Sequence, residues 1–228
     1  MNGEFIALTI SLTALCGLLT ALAARGVWRF RQTRTRSQLM WGSGLALAAA
    51  AMAIEAVVYV GIVTSPLLQA YVFFSAAIVG VLSLGATKIL RSPRIERIYT
   101  YYTLGGCLVV GVACAVTPLP SAMVQSGIIA GNPPLLLIEL SSLVTVPATV
   151  ILLAATALSL WHSWRWQSLL MAGGAVILGA GGTLYIASFP IALYYSEFIG
   201  IVLLFLGLIS LPQPSATPST SATPNPTS

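Results

Sequence analysis

Three glutamates are the residues of this chain whose type and setting allow chemistry. Glu55 lies in AMAIEAVVYVG (51–61), Glu139 in LLLIELSS (135–142) and Glu197 in LYYSEFIG (193–200), each inside an otherwise apolar stretch. Tyr59 follows Glu55 by one helical turn, Tyr194 precedes Glu197 by about one, and Ser142 opens a row of hydroxyls just after Glu139. Carboxyls and phenols held in an apolar medium take up and release protons or hold a small cation. An ionised carboxylate at mid-bilayer costs on the order of 3 kcal/mol and somewhat less near an end, so these side chains are expected to face inward, hydrogen-bonded or protonated. Glu139 and Glu197 fall near helix starts, where the backbone dipole stabilises negative charge. Glu55 falls near a helix end, where that dipole disfavours it, and this sets it apart.

The remaining polar residues mainly exclude. The chain has no aspartate, which rules out a paired-aspartate intramembrane protease. His162 is the only histidine, so neither bis-histidine haem ligation nor an HExxH zinc site can be built. Lys88, the only lysine, ends the third apolar run, which excludes a retinal Schiff base deep in the last helix. Cys107 and Cys114 share one helix about 10.5 Å apart along its axis and cannot bond to each other. Together with Cys16 they read as small packing residues. No nucleophile is paired with a base, so no enzyme, metal or cofactor is expected.

The elements that must position the glutamates follow from composition. Hydrophobic residues make up 57% of the 228 and charged ones 7%, with a mean hydropathy of +0.95. Soluble domains carry about 25% charged residues, so this chain belongs in a bilayer. Apolar runs long enough to span about 30 Å of hydrocarbon occur at 5–24, 38–61, 67–88, 97–117, 134–160, 167–187 and 191–211. Residues 1–211 are thus expected to form one all-α bundle of seven transmembrane helices. Ser65-Pro66, Ser92-Pro93 and Asn132-Pro133 place a capping residue before a proline that opens a helix, and Pro190 opens the last. Strands are not needed, because a helix satisfies its own backbone in lipid. The first run lacks the basic flank of a signal peptide and reads as a retained helix.

Every one of the 10 basic residues falls in the first, third or fifth connection or at its edges, from Arg25 through Arg36, Lys88 through Arg97, and Arg165. The positive-inside rule then puts the N-terminus outside and the C-terminus inside a plasma membrane, with the glutamates in the outer half. The same arginines are expected to attract anionic inner-leaflet lipid, and their placement at loops explains them without nucleic acid. All 5 tryptophans, Trp28, Trp41, Trp161, Trp164 and Trp166, lie on this basic side and read as interfacial anchors. Residues 212–228, rich in Pro, Ser and Thr and uncharged in their side chains, are expected to form a disordered cytoplasmic tail.

Two hydroxyl stripes, Ser142, Thr145, Thr149, Thr156 and Ser159 on run five and Thr9, Thr13 and Thr20 with Cys16 on run one, fit either a hydrated path or back-bonding to carbonyls one turn earlier. Pro147 should kink run five. Gly173, Gly174, Gly179, Gly181 and Gly182, with Gly42, Gly44 and Ala48 to Ala51, point to close helix contacts within the bundle or between copies in a homo-oligomer.

Ile54-Glu55-Ala56, Tyr71 with Gly85-Ala86-Thr87, Trp161 to Arg165 and Gly181-Gly182-Thr183-Leu184 resemble a group of bacterial seven-helix membrane proteins over roughly residues 38–208. The Gly-Ala-Thr ending departs from that group's Gly-Thr by one alanine. The resemblance implies a single seven-helix bundle and no particular activity. The expected function is binding or conduction of a small solute, proton or cation through an outward-facing pocket around Glu55, Tyr59, Glu139, Ser142, Tyr194 and Glu197. The alternative is a sensor or accessory subunit acting through contacts with a partner membrane protein.

Overall fold

The computed structural model describes residues 3–33, 36–90, 92–125, 128–129 and 133–162, with separate helical positions between 166 and 207. Five long helices run through this part: α1 (Gly3–Thr33), α2 (Arg36–Tyr59), α3 (Ser65–Ala86), α4 (Pro93–Val116) and α5 (Leu135–His162). Four stretches, Leu39–Tyr59, Ser65–Ala86, Pro93–Val116 and Leu135–Trp161, are long and apolar enough to cross a membrane, and α1 holds a shorter apolar segment, Cys16–Trp28. The chain is a multi-pass membrane protein. The sixth and seventh runs fall largely outside the described residues, as does the tail.

Consecutive helices pack antiparallel, α2 between α1 and α3, and α3 also against α4 and α5. Small residues set the distances. A β-carbon at Gly42 would lie 3.3 Å from the backbone nitrogen of Val27 and 3.4 Å from the carbonyl carbon of Gly26, so α1 and α2 meet backbone to backbone. Gly44 receives Leu82, Gly106 receives Val144 and Gly111 receives Phe73 in the same way. Lipid is as apolar as leucine, so close packing of this kind, rather than water exclusion, holds such helices together. Up-and-down packing gathers Arg25, Arg31, Arg36, Arg94 and Arg97 at one end of the bundle, the arginine end.

Trp41 corrects one expectation. It is 2% exposed rather than interfacial, whereas Trp28, Trp161 and Trp166 are exposed. The cause lies on the facing helix: Gly85 has no β-carbon, and one placed there would fall within the Trp41 indole. Leu82, Ala86, Leu152 and Ala155 complete this cluster at the arginine end.

Pro147 lies inside α5 and has no amide hydrogen to give to the carbonyl four residues earlier, that of Leu143. Tyr102 of α4 supplies the missing donor, its hydroxyl donating to the Leu143 carbonyl. The hydroxyl stripe of α5 is occupied locally. Ser142 donates to the Ile138 carbonyl at 2.7 Å, Thr149 to Thr145 at 2.9 Å and Thr156 to Leu152 at 2.7 Å, the back-bonding alternative. Thr20 of α1 does the same to Cys16 at 2.7 Å.

The connection from α4 to α5 contains the one pair of strands among the described residues, where the sequence called for none. A 3-10 turn (Ser121–Met123) leads into strand β1 (Val124–Gln125), which pairs antiparallel with β2 (Ile128–Ile129), Val124 opposite Ile129. Leu119, Met123 and Ile129 are buried against Val58 of α2, Leu68 and Tyr71 of α3 and Leu137 of α5, so this hairpin roofs the end opposite the arginines. Its root is tied to α3: the Leu119 amide donates to Ser65 Oγ at 3.1 Å, and Gln69 Nε2 to the Thr117 carbonyl at 2.8 Å. Ser65 therefore does not cap α3, whose N-cap is Thr64.

Two outcomes test this packing by thermal denaturation in detergent. Gly85→Ala should destabilise by about 1–3 kcal/mol because Trp41 has to move, whereas Gly105→Ala, with nothing within 4 Å, should be neutral or stabilise by up to about 1 kcal/mol. Tyr102→Phe should cost about 0.6–1.7 kcal/mol in the native background and close to nothing alongside Pro147→Ala, which restores the helical donor. Equal costs in the two backgrounds would remove the link between Tyr102 and the proline.

Candidate functional site

Glu55 is the only charged residue between Leu39 and Tyr59, and it is 3% exposed. Helical spacing explains its position. On α2 the buried residues Leu45, Ala48, Met52 and Glu55 fall at steps of three and four, which keeps them on one face. Ala51 and Val58, four before and three after Glu55, belong to the cluster that joins α2 to α3, α4, α5 and the hairpin. Met52 and Tyr59, three before and four after, belong to the cluster that joins α2 to α1 and to Ile201. Glu55 thus occupies the seam between two apolar clusters.

Depth alone would not bury this residue, since four residues separate it from the end of α2, about 6 Å along the axis. A carboxylate so near a helix end would ordinarily meet headgroups and water. Here the hairpin covers that end, with β2 lying against α2. Gly61, at φ 101°, turns the chain sharply after the helix in a conformation that favours glycine and keeps the connection to α3 short.

The other sequence candidates are distributed differently. Tyr59 is half-buried against the cluster of Leu19, Leu45 and Met52. Ser142 is half-buried on α5 with its hydroxyl turned to its own helix. Glu139 is exposed on α5, a helix that packs on α3 and α4. Sequence spacing could not assign it, because Glu139 lies one turn before the Ser142 row while Leu143, Val146 and Val150 at the same helical spacing are exposed. Tyr194 and Glu197 lie outside the described residues. Ile201, four residues beyond Glu197, is buried in the cluster of Leu19, Ala48 and Met52 on one side of Glu55.

Further polar groups emerge that the sequence reading passed over. Ser83 is fully buried in α3; it donates to the Gly80 carbonyl at 2.7 Å, and Tyr99 of α4 meets its oxygen at 2.7 Å. A hydroxyl has one proton, so Tyr99 is the donor in that pair. Tyr99 stacks on Tyr102, ring centroids 6.3 Å apart, which puts two phenols on one stretch of α4 with bonds to α3 and α5 respectively. A serine facing a tyrosine gives no periodic signal; the amide of Gln69 in an apolar helix start was the legible one.

Cys16 gives its thiol hydrogen to the Ala49 carbonyl at 3.6 Å, and Cys107 and Cys114 are likewise free thiols within the bundle. Among the described residues, no three His, Cys, Asp or Glu side chains gather closely enough to hold a metal ion. Comparison with protein-family models, with curated proteins and with solved structures finds no match for this chain.

A buried carboxyl in a span is costly to stability and is retained where it serves activity. Glu55→Leu, which keeps bulk and removes the polar head, should therefore raise the thermal midpoint in detergent by a few degrees. A clear fall in midpoint would make Glu55 a packing element.

Proposed function

We propose that this protein is a seven-helix protein of the plasma membrane, N-terminus outside, that carries a proton or a small cation by way of Glu55. The observation behind this reading is a single acidic side chain, 3% exposed, in a span with no other charge. A residue so costly to insert is a functional feature by default in a membrane protein. A hydroxyl neighbour supports proton handling, with Tyr59 one turn away on α2, and the proposal keeps Tyr194 and Glu197 of the last apolar run as further candidates from the sequence. Arginines at the opposite end set the orientation and attract anionic lipid of the inner leaflet.

A second reading, an accessory subunit, draws on a different observation. The exposed face of α4 and α5 combines Leu143, Val146 and Val150 with the open Gly105 and the outward Glu139, a surface on which a helix of a second copy or a partner membrane protein can pack closely.

Flux in proteoliposomes separates the two. Under an inward proton gradient, Glu55→Gln should lower the pH-dependent flux by about tenfold or more with the fold intact, as expected when a proton carrier is replaced by an amide. Flux that is unchanged in Glu55→Gln, or absent from the native chain under any cation gradient, would favour the accessory subunit.

A further inference from the structure

We infer that the outward line of α4 is a binding site for one phospholipid with a negatively charged headgroup, its phosphate held between Arg94 and Arg97 and an acyl chain laid along Tyr101, Leu104, Leu108 and Val112. The inference rests on the reading that the arginine end attracts anionic lipid, and it narrows that general attraction to one place. These six residues recur at steps of three and four, which sets them along one side of the helix, and all six are exposed. Glu96, the acidic residue of the first turn, is half-buried and off this line, so the two arginines present their charge without a carboxylate between them. Of the four apolar spans α4 is also the least covered, with 22% of its window inside the protein.

Order along the line matches order within a phospholipid. Arg94 and Arg97 are one turn apart, with β-carbons about 5–6 Å from each other, near enough for two guanidinium forks to share a phosphate. Tyr101 follows about 6 Å deeper. Of the three tyrosines on this stretch, Tyr99 and Tyr102 spend their hydroxyls on Ser83 and on the Leu143 carbonyl, whereas Tyr101 is 71% exposed and suits the layer of glycerol and ester groups. From Tyr101 to Val112 the helix rises about 16 Å, close to the hydrocarbon thickness of one leaflet, about half of 30 Å. Leu104, Leu108 and Val112 give that length a bulky aliphatic edge.

The arginine end of α1 has the charge without the edge. Arg25 and Arg31 are exposed there, but beyond Trp28 the exposed residues on that side are Ala24, Ala21 and Gly17, and a β-carbon at Gly17 would meet nothing within 4 Å. Such small side chains offer an acyl chain few atoms to touch. Helix α1 therefore serves as the internal control for charge alone.

The test titrates the full chain in detergent with phosphatidylglycerol or phosphatidylcholine and counts bound copies by native mass spectrometry. One phosphatidylglycerol should bind at least about tenfold more tightly than phosphatidylcholine, and Arg94→Gln with Arg97→Gln should weaken it about thirtyfold, either change alone about fivefold. Leu104→Ala with Leu108→Ala should weaken it about threefold or more with both arginines in place. Arg25→Gln with Arg31→Gln should change it by less than about twofold, because charge is only part of the site. Equal losses from the α1 and α4 arginine pairs would overturn the site and leave the general attraction standing; no loss from either pair would overturn both. Equal affinity for the two lipids would reduce the line to ordinary acyl contact and overturn the site as well. If the double arginine variant does not fold, the two single changes decide by the same comparison.

Discussion

Hydrocarbon offers no hydrogen bonds, and much of this structure follows from that absence. Every backbone amide and carbonyl in a span must find a partner within the protein. Helices meet the demand internally, and the exceptions show it being met by other means. Where Pro147 strips the Leu143 carbonyl of its donor, Tyr102 reaches across from α4. Where the chain leaves α4 without helical pairing, Gln69 and Ser65 of α3 take up the Thr117 carbonyl and the Leu119 amide, and a two-residue ladder takes up part of the rest. Side-chain hydroxyls along α1 and α5 turn back to their own helices for the same reason. Beside these groups stands the carboxyl of Glu55, a costly side chain to place in a span, buried at the seam of two apolar clusters.

Glycine sets how closely the helices meet, and so where the polar groups come to lie. Contact between α1 and α2 at Gly26 and Gly42 leaves no side chain between the two backbones, and the slot over Gly85 swallows a whole indole. Such contacts fix the rotation of α2, and with it which side of the helix Glu55 occupies. The same rotation that buries Leu45, Ala48 and Met52 buries the carboxyl.

Helix positions were the legible part of the fold. Apolar runs at 38–61, 67–88, 97–117 and 134–160 became α2 to α5 with shifts of a few residues, because length and hydropathy are local properties. Run one was underestimated: α1 continues to Thr33, since arginines at the membrane surface are good helix formers. Burial of Glu55 was foreseeable from the charge it would otherwise present to lipid. Features that depend on two helices at once were not foreseeable. Trp41 looked interfacial because its glycine partner is 44 positions away, and Glu139 looked inward because a carboxylate facing lipid is costly and Ser142 opens a hydroxyl row one turn after it. The hairpin, two residues to a strand, is shorter than any alternation pattern can register.

The order in which the spans are made gives the burial of α2 a further consequence. Inside the protein, 56% of its spanning window is covered, against 22% for α4. A ribosome delivers α2 after α1 and before α3, at about 5–20 residues per second. For on the order of a few seconds the nascent α2 therefore has α1 as its partner while its glutamate awaits α3 and the roof that comes later still. The backbone contact at Gly26 and Gly42 is available from the outset, so the first two helices can leave the translocation channel as a joined pair, sheltering an acidic side chain that a lone helix would have to expose to acyl chains.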